Sequence, residues 1–231
     1  MTHHDPSPVN PLPPLVWLLF AAIAVPEAIF SLGEAGVVGG PAAIGWRLEA
    51  LNTYAFSGQA FDFMLENGVI LWDHMLRFIT YPFVAGSFTG VLIAGVILLA
   101  MGKLVGEVMG GAAVWLIFML CSVVGALVMG LTTAQSWLAG AYPGAYGLIG
   151  TFTFLYWQKQ AVTGGPQAQA FMLIGILMGL QLLFAVLFAF TGSAPDYVWV
   201  AELTGAATGF AIAAFVMPGG MSRLLAALRR D

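Results

Sequence analysis

The residues best placed to do chemistry in this sequence are two acids inside long apolar runs. Glu27 follows Pro26 in the first run, and Glu202 lies near the beginning of the last one. An ionisable group inside a membrane span costs about 2.5 to 3.5 kcal/mol on insertion scales, so it is usually kept for a partner or a function. Both acids could serve a small carboxylate-dependent transporter, although the chain lacks the internal repeat typical of transporters. For Glu27 a simpler interpretation is a hydrated carboxyl near the outer interface.

Hydroxyl nucleophiles are the second chemical possibility, because Ser87, Ser122 and Ser136 lie in or beside apolar runs. A serine nucleophile needs a general base to take its proton. All three histidines lie outside the apolar runs: His3, His4 and His74. An intramembrane serine endopeptidase with unusual catalytic residues therefore stays an alternative only.

The composition indicates that the chain lies in a membrane and not in water. The chain has 231 residues, of which 60% are hydrophobic and 8% charged, against about 25% charged in soluble domains. Its mean hydropathy is +0.93, so we expect contact with the lipid bilayer. The net charge of −4 excludes a nucleic-acid-binding surface. A single cysteine, Cys121, provides neither a disulfide nor a metal site, and we expect no metal and no cofactor.

Apolar runs separated by loop signals predict an all-α membrane protein with six transmembrane helices. The runs span approximately 15–32, 87–101, 112–131, 146–157, 170–190 and 199–217. Since the fourth run is short, we expect its helix to extend further or to be encircled by the others. Such a buried helix would suit a functional centre.

The segments outside the runs predict the domain organisation. Residues 1–14 are rich in proline, which predicts a disordered tail. The membrane domain is expected to span 15–217, and residues 218–231 are expected to form a basic amphipathic tail. Residues 33–81 mix polar and aromatic side chains, which predicts a folded outer insert with short helices in the interface. Five Lys and Arg residues fall on the side of the termini and two on the other. This distribution predicts that both termini are cytoplasmic.

Three motifs occur in a fixed order along the apolar part. The segment before the second span contains Arg77, Thr80, Phe83, Gly86 and Ser87. The fourth span opens with Gly144, Ala145 and Gly147, and the sixth contains Ala201, Gly205 and Gly209. In this order they resemble the rhomboid family of intramembrane serine proteases. The resemblance implies a six-helix bundle with a membrane-embedded first outer loop, in a multi-pass protein of the bacterial inner membrane.

The same resemblance implies that the catalytic groups are missing. Tyr146 stands where the family has its nucleophilic serine, and Glu202 stands where it has its general-base histidine. The positions on the oxyanion side are Gly90 and Ala94, which offer no side-chain donor. Inactive relatives bind client membrane proteins, so the resemblance implies a proteolytically inactive pseudoprotease that binds transmembrane segments of clients.

We expect Tyr146 to donate a hydrogen bond to Glu202, which would satisfy a buried acid and join the fourth and sixth spans. Packing offers a competing arrangement. Gly147, Gly205 and Gly209 could bring the two helices so close that the tyrosine ring points away from the acid.

Overall fold

The computed structural model describes residues 11–133, 137–190 and 197–216. Residues 1–10, the predicted tail 218–231 and Ser136 lie outside the described residues. The helices are α1 (Pro14–Glu34), α2 (Trp46–Tyr54), α3 (Gly58–Asn67), α4 (Trp72–Thr80), α5 (Phe88–Met109), α6 (Gly111–Thr132), α7 (Tyr142–Thr163), α8 (Met172–Ala189) and α9 (Val198–Val216). Short 3₁₀ turns lie at Gly40–Gly45, Tyr81–Phe83 and Gln167–Phe171, and the strands β1 (Phe56–Ser57) and β2 (Trp137–Leu138) pair antiparallel.

Five of the helical segments in the described ranges are long and apolar enough to cross a membrane. They are α1, α5, α6, α8 with its preceding turn, and α9. The sixth long helix, α7, has 22 residues but carries Gln158, Lys159 and Gln160 near its end. It packs against α9, α6 and α5, and its first half is almost entirely buried. The predicted all-α membrane bundle is thereby confirmed, with the fourth span encircled by the others.

Helices α1, α5, α6 and α7 are longer than the apolar runs indicated. We expected a loop over 102–111, but α5 continues to Met109 and turns only at Gly110, whose φ is +87°. In lipid the helix is the arrangement that satisfies its own backbone donors and acceptors. Gly102 and Gly106 also leave room for Val16 and Pro13 of the α1 region. These small residues therefore mark helix packing and not a loop.

The predicted insert consists of α2, α3 and α4 with the strand β1. Phe56, Phe61 and Phe78 form an aromatic cluster with ring centroids 4.8 to 6.1 Å apart. The buried Tyr81 hydroxyl donates to the Ser122 carbonyl of α6 at 2.8 Å. Burial raises the pKa of Tyr81 far above its ordinary value, so it remains a donor. The insert is thus fixed to the membrane bundle.

Candidate functional site

The central contact of the bundle joins α7 and α9 through small residues. A Cβ atom on Gly150 would collide with the Ala206 carbonyl, and one on Gly209 would collide with the Gly147 carbonyl. Thr151 Oγ1 lies 3.0 Å from the carbonyl oxygens of both Gly147 and Gly209. The backbones of the two helices therefore touch, and Pro143 in the first turn of α7 lies beside Gly205 of α9.

Tyr146 is the fifth residue of α7, and Glu202 is the fifth residue of α9. The two residues are 4% and 3% exposed. Ala206, about one turn beyond Glu202 on α9, packs in the same apolar cluster as Tyr146. The structure thus brings together the two residues that the sequence singled out.

The structure gives Glu202 a partner that we did not expect. Glu202 Oε2 accepts a hydrogen bond from Gln181 Nε2 of α8. Tyr146 packs in an apolar cluster with Ile149 and Ala206, against side chains of α5 and α8. The buried tyrosine therefore contributes to the packing of α7 on α9.

Sequence reasoning missed Gln181. A signal was present, because Gln181 is the single side chain with a polar group in the apolar run 170–190. A polar group in a span needs a partner from another helix. One residue that binds the acid therefore comes from the fifth span.

The former oxyanion side is a small cavity. Gly90 and Ala94 of α5 line it together with Ser87, Gly140 and Tyr142, and its volume is about 100 Å³. The polar side chains in this lining are the hydroxyls of Ser87 and Tyr142. Ser87 Oγ caps α5 by accepting from the Gly90 amide at 3.2 Å. The cavity therefore offers no amide or imidazole side chain aimed at a developing oxyanion.

The candidate nucleophiles in the described chain have structural partners. Ser122 is fully buried and donates to the Phe118 carbonyl at 2.8 Å. Of the three histidines, His74 alone falls within the described residues. It lies on α4 in the insert. Desolvation, and secondly the charge of Arg77, lower the pKa of His74. No imidazole among the described residues therefore faces Ser87 or Ser122.

The remaining motif residues support the insert and its junction with α5. Arg77 donates to the Ala55 carbonyl at 3.3 Å, and Thr80 donates to the Tyr54 carbonyl at 3.0 Å. The Phe83 ring packs 6.4 Å from that of Phe118. Gly86 lines the small cavity. Gly144 and Ala145 are buried at the start of α7, where a Cβ on Gly144 would press on Phe118 and Ser122.

Glu27 is engaged in a buried ion pair that the sequence did not reveal. Arg47 of α2 binds both of its carboxylate oxygens, at 2.6 and 2.7 Å, and Ser31 donates to it at 2.9 Å. Arg47 also donates to Glu34 at 2.7 Å and to the Ala85 carbonyl at 3.2 Å. Hydrogen bonds to Glu27 and Glu34 raise the pKa of Arg47 far above its ordinary value. The expectation of a hydrated Glu27 was wrong, since the side chain is 3% exposed.

Comparison with known families now identifies the bundle. The sequence model of the Rhomboid domain matches residues 73–219. The chain belongs to the rhomboid family. No curated protein sequence matches it significantly. The match runs from α4 to the end of α9, so the rhomboid domain contains all of the central contact between α7 and α9 and the two positions at which we expect the family's dyad, Tyr146 and Glu202.

Within this rhomboid the dyad positions form an apolar and hydrogen-bonded arrangement. Tyr146 contributes a buried ring, and Glu202 is bound by Gln181. A phenol has a pKa near 10 and a carboxylate is a weak base, so the pair is poorly suited to nucleophilic attack on an amide. The arrangement is chemically suited to joining α8 to α9.

Proposed function

We propose that this rhomboid is a proteolytically inactive pseudoprotease that binds transmembrane helices of client membrane proteins. The observation that carries the proposal is the pair of dyad positions, which hold Tyr146 and Glu202 in place of a nucleophile and a base. Client binding rests on the family resemblance, because capture of a helix does not need the dyad. The protein is an integral multi-pass membrane protein, and we further propose that its termini face the cytoplasm of a bacterium.

The packing of α8 supports a helix-binding role. Only 6% of the residues of its span are buried, against 44% for the span of α6. Large apolar side chains cover its exposed face, among them Leu182 at 67%. Beside α8, Ile97 of α5 packs on the Tyr146 cluster, and Ile93 lies one turn away with 47% exposure. A client helix could bind along this face of α5 with little displacement of α8.

The test uses a defined transmembrane substrate helix in proteoliposomes. A photo-crosslinking amino acid at Ile93 should capture this helix, whereas one at Leu116 of α6, equally exposed at 55%, should capture much less. Equal capture at both positions would mean random collision in the bilayer and would contradict the proposal. Cleavage of the helix during the same incubation would contradict the inactive assignment.

The hydrogen bonds of Glu27, Ser87 and Ser122 argue against the two alternatives, a transporter and an active protease. A transporter needs carboxylates that exchange protons, but both oxygens of Glu27 are bound by Arg47. A protease using Ser87 or Ser122 would have to break the bonds that these serines make to the backbone. We therefore advance neither as a second proposal.

A further inference from the structure

A second pocket lies on the insert, away from the dyad positions. It has a volume of about 340 Å³ and lies between the end of α1 and the exposed face of α2. Its lining consists of three aromatic residues, one acid and two small residues: Phe30, Trp46, Tyr54, Glu49, Ala50 and Thr53. A volume of this size falls in the usual range of small-molecule sites, about 300 to 1,000 Å³.

The aromatic rings give the pocket a surface that attracts cations. Faces of Trp, Tyr and Phe carry a negative quadrupole, and several such rings around one cavity bind ammonium groups. The Arg47 guanidinium already lies 5.8 Å from the centroid of the Phe30 ring, so one ring of the pocket demonstrably holds a cation on one side. Tyr54 is 47% exposed, which leaves it open to a ligand.

Charge reinforces this preference. Arg47, next to Trp46 of the lining, is bound to Glu27 and Glu34. Glu49 is exposed, and within the described part of the chain its carboxylate has no ion-pair partner. Three carboxylates thus accompany two guanidinium groups around α2, because Arg77 donates to the Ala55 carbonyl at its other end. An anion or a phosphate is disfavoured here, and a compact cation is favoured.

We infer that this pocket of the insert binds an ammonium group, held between the aromatic rings and the Glu49 carboxylate. Two sources share this chemistry: the headgroup of a zwitterionic phospholipid, and a soluble amine at the membrane surface. A metal ion does not fit, because a single carboxylate provides too few oxygen ligands for a hard cation. The inference does not depend on the proposed function, since neither Tyr146 nor Glu202 lines this pocket.

The experiment compares choline with its neutral carbon isostere, 3,3-dimethyl-1-butanol. Binding to the full chain in maltoside detergent would be followed by saturation-transfer NMR, without any phosphocholine detergent that would compete. We expect saturable binding of choline and at least tenfold weaker binding of the isostere. Glu49→Gln should weaken choline binding about fivefold or more, and Tyr54→Leu should weaken it as well. Both residues are exposed, so the variants should fold.

Glu66→Gln is the matched control, because Glu66 is an exposed acid on α3 outside the pocket. It should leave choline binding unchanged. Equal binding of choline and its isostere, or equal effects of Glu49→Gln and Glu66→Gln, would overturn the inference. Native mass spectrometry from nanodiscs then separates the sources. Retention of phosphatidylcholine over phosphatidylglycerol, lost in Glu49→Gln, identifies a lipid headgroup, whereas choline binding without lipid preference identifies a soluble amine.

Discussion

Replacing Arg47 by methionine tests the buried ion pair that joins α1 to the insert. The substitution keeps an unbranched apolar stem and removes every donor that Arg47 gives to Glu27 and Glu34. Glu27 is 3% exposed and Arg47 is 11% exposed, so the carboxylate would be left buried without its counter-ion. Removal of one partner of a buried pair costs about 3 to 5 kcal/mol. We expect the lower end, about 3 kcal/mol, because Ser31 still donates to Glu27 at 2.9 Å.

The free energy of unfolding can be measured by titrating mild-detergent micelles with SDS and following helicity by circular dichroism. Glu27→Gln should cost less, about 1 to 2 kcal/mol, because Arg47 keeps Glu34 and the amide oxygen can still accept. The double variant should show a coupling of about 1 kcal/mol or more. Lys159→Met, which likewise replaces a cation by methionine but at an exposed position, should stay within about 0.5 kcal/mol of the parent. If Arg47→Met also stays within that range, the ion pair does not stabilise the fold and the reasoning fails.

Three further predictions concern packing, titration and the α8 contact. Gly150→Ala should destabilise the protein by about 1 to 3 kcal/mol in the same unfolding assay, because the added methyl group would collide with the backbone of α9. The control Gly175→Ala should leave the free energy of unfolding unchanged, because the space around Gly175 is open. The lowered pKa of His74 means that the unfolded chain binds its proton first, so stability should fall as the pH drops below about 6.5, and His74→Asn should reduce this fall. Gln181→Leu should cost about 1 to 3 kcal/mol through loss of the donor to Glu202, and Gln181→Glu at neutral pH should cost more, since two carboxylates would then face each other.

The apolar runs and the motif order were sufficient to predict the membrane bundle. The long apolar helices follow from local hydropathy, and the buried position of α7 follows from the shortness of its apolar run. The ends of α5 and α7 could not be predicted in the same way, because glycines and polar residues at a span end signal a loop in water and helix packing in lipid. The two-residue pairing of β1 with β2 is too short to leave a periodic pattern.

The site was predictable in its positions but not in its contacts. The motifs identified Tyr146 and Glu202, but the partners of the two buried acids come from residues distant in sequence. Gln181 is 21 positions from Glu202, and Arg47 is 20 positions from Glu27. Gln181 was visible as an isolated polar residue in an apolar run, whereas Arg47 lies among the other polar residues of the insert. Which acid each of them binds depends on how the helices pack, and a single sequence does not encode that in any local pattern.

The most direct test of the central claim is to incubate the purified protein with the transmembrane substrate helix in proteoliposomes and to follow binding and cleavage together. The account predicts crosslinking of the helix at position 93 with no cleavage product, both for the parent protein and for Tyr146→Ser. The Tyr146→Ser variant still has no general base, and Gly90 and Ala94 still offer no side-chain donor to an oxyanion. We therefore expect it to restore no cleavage. A cleavage product from the unmodified protein, abolished by substitution of Ser87 or Ser122, would contradict the account.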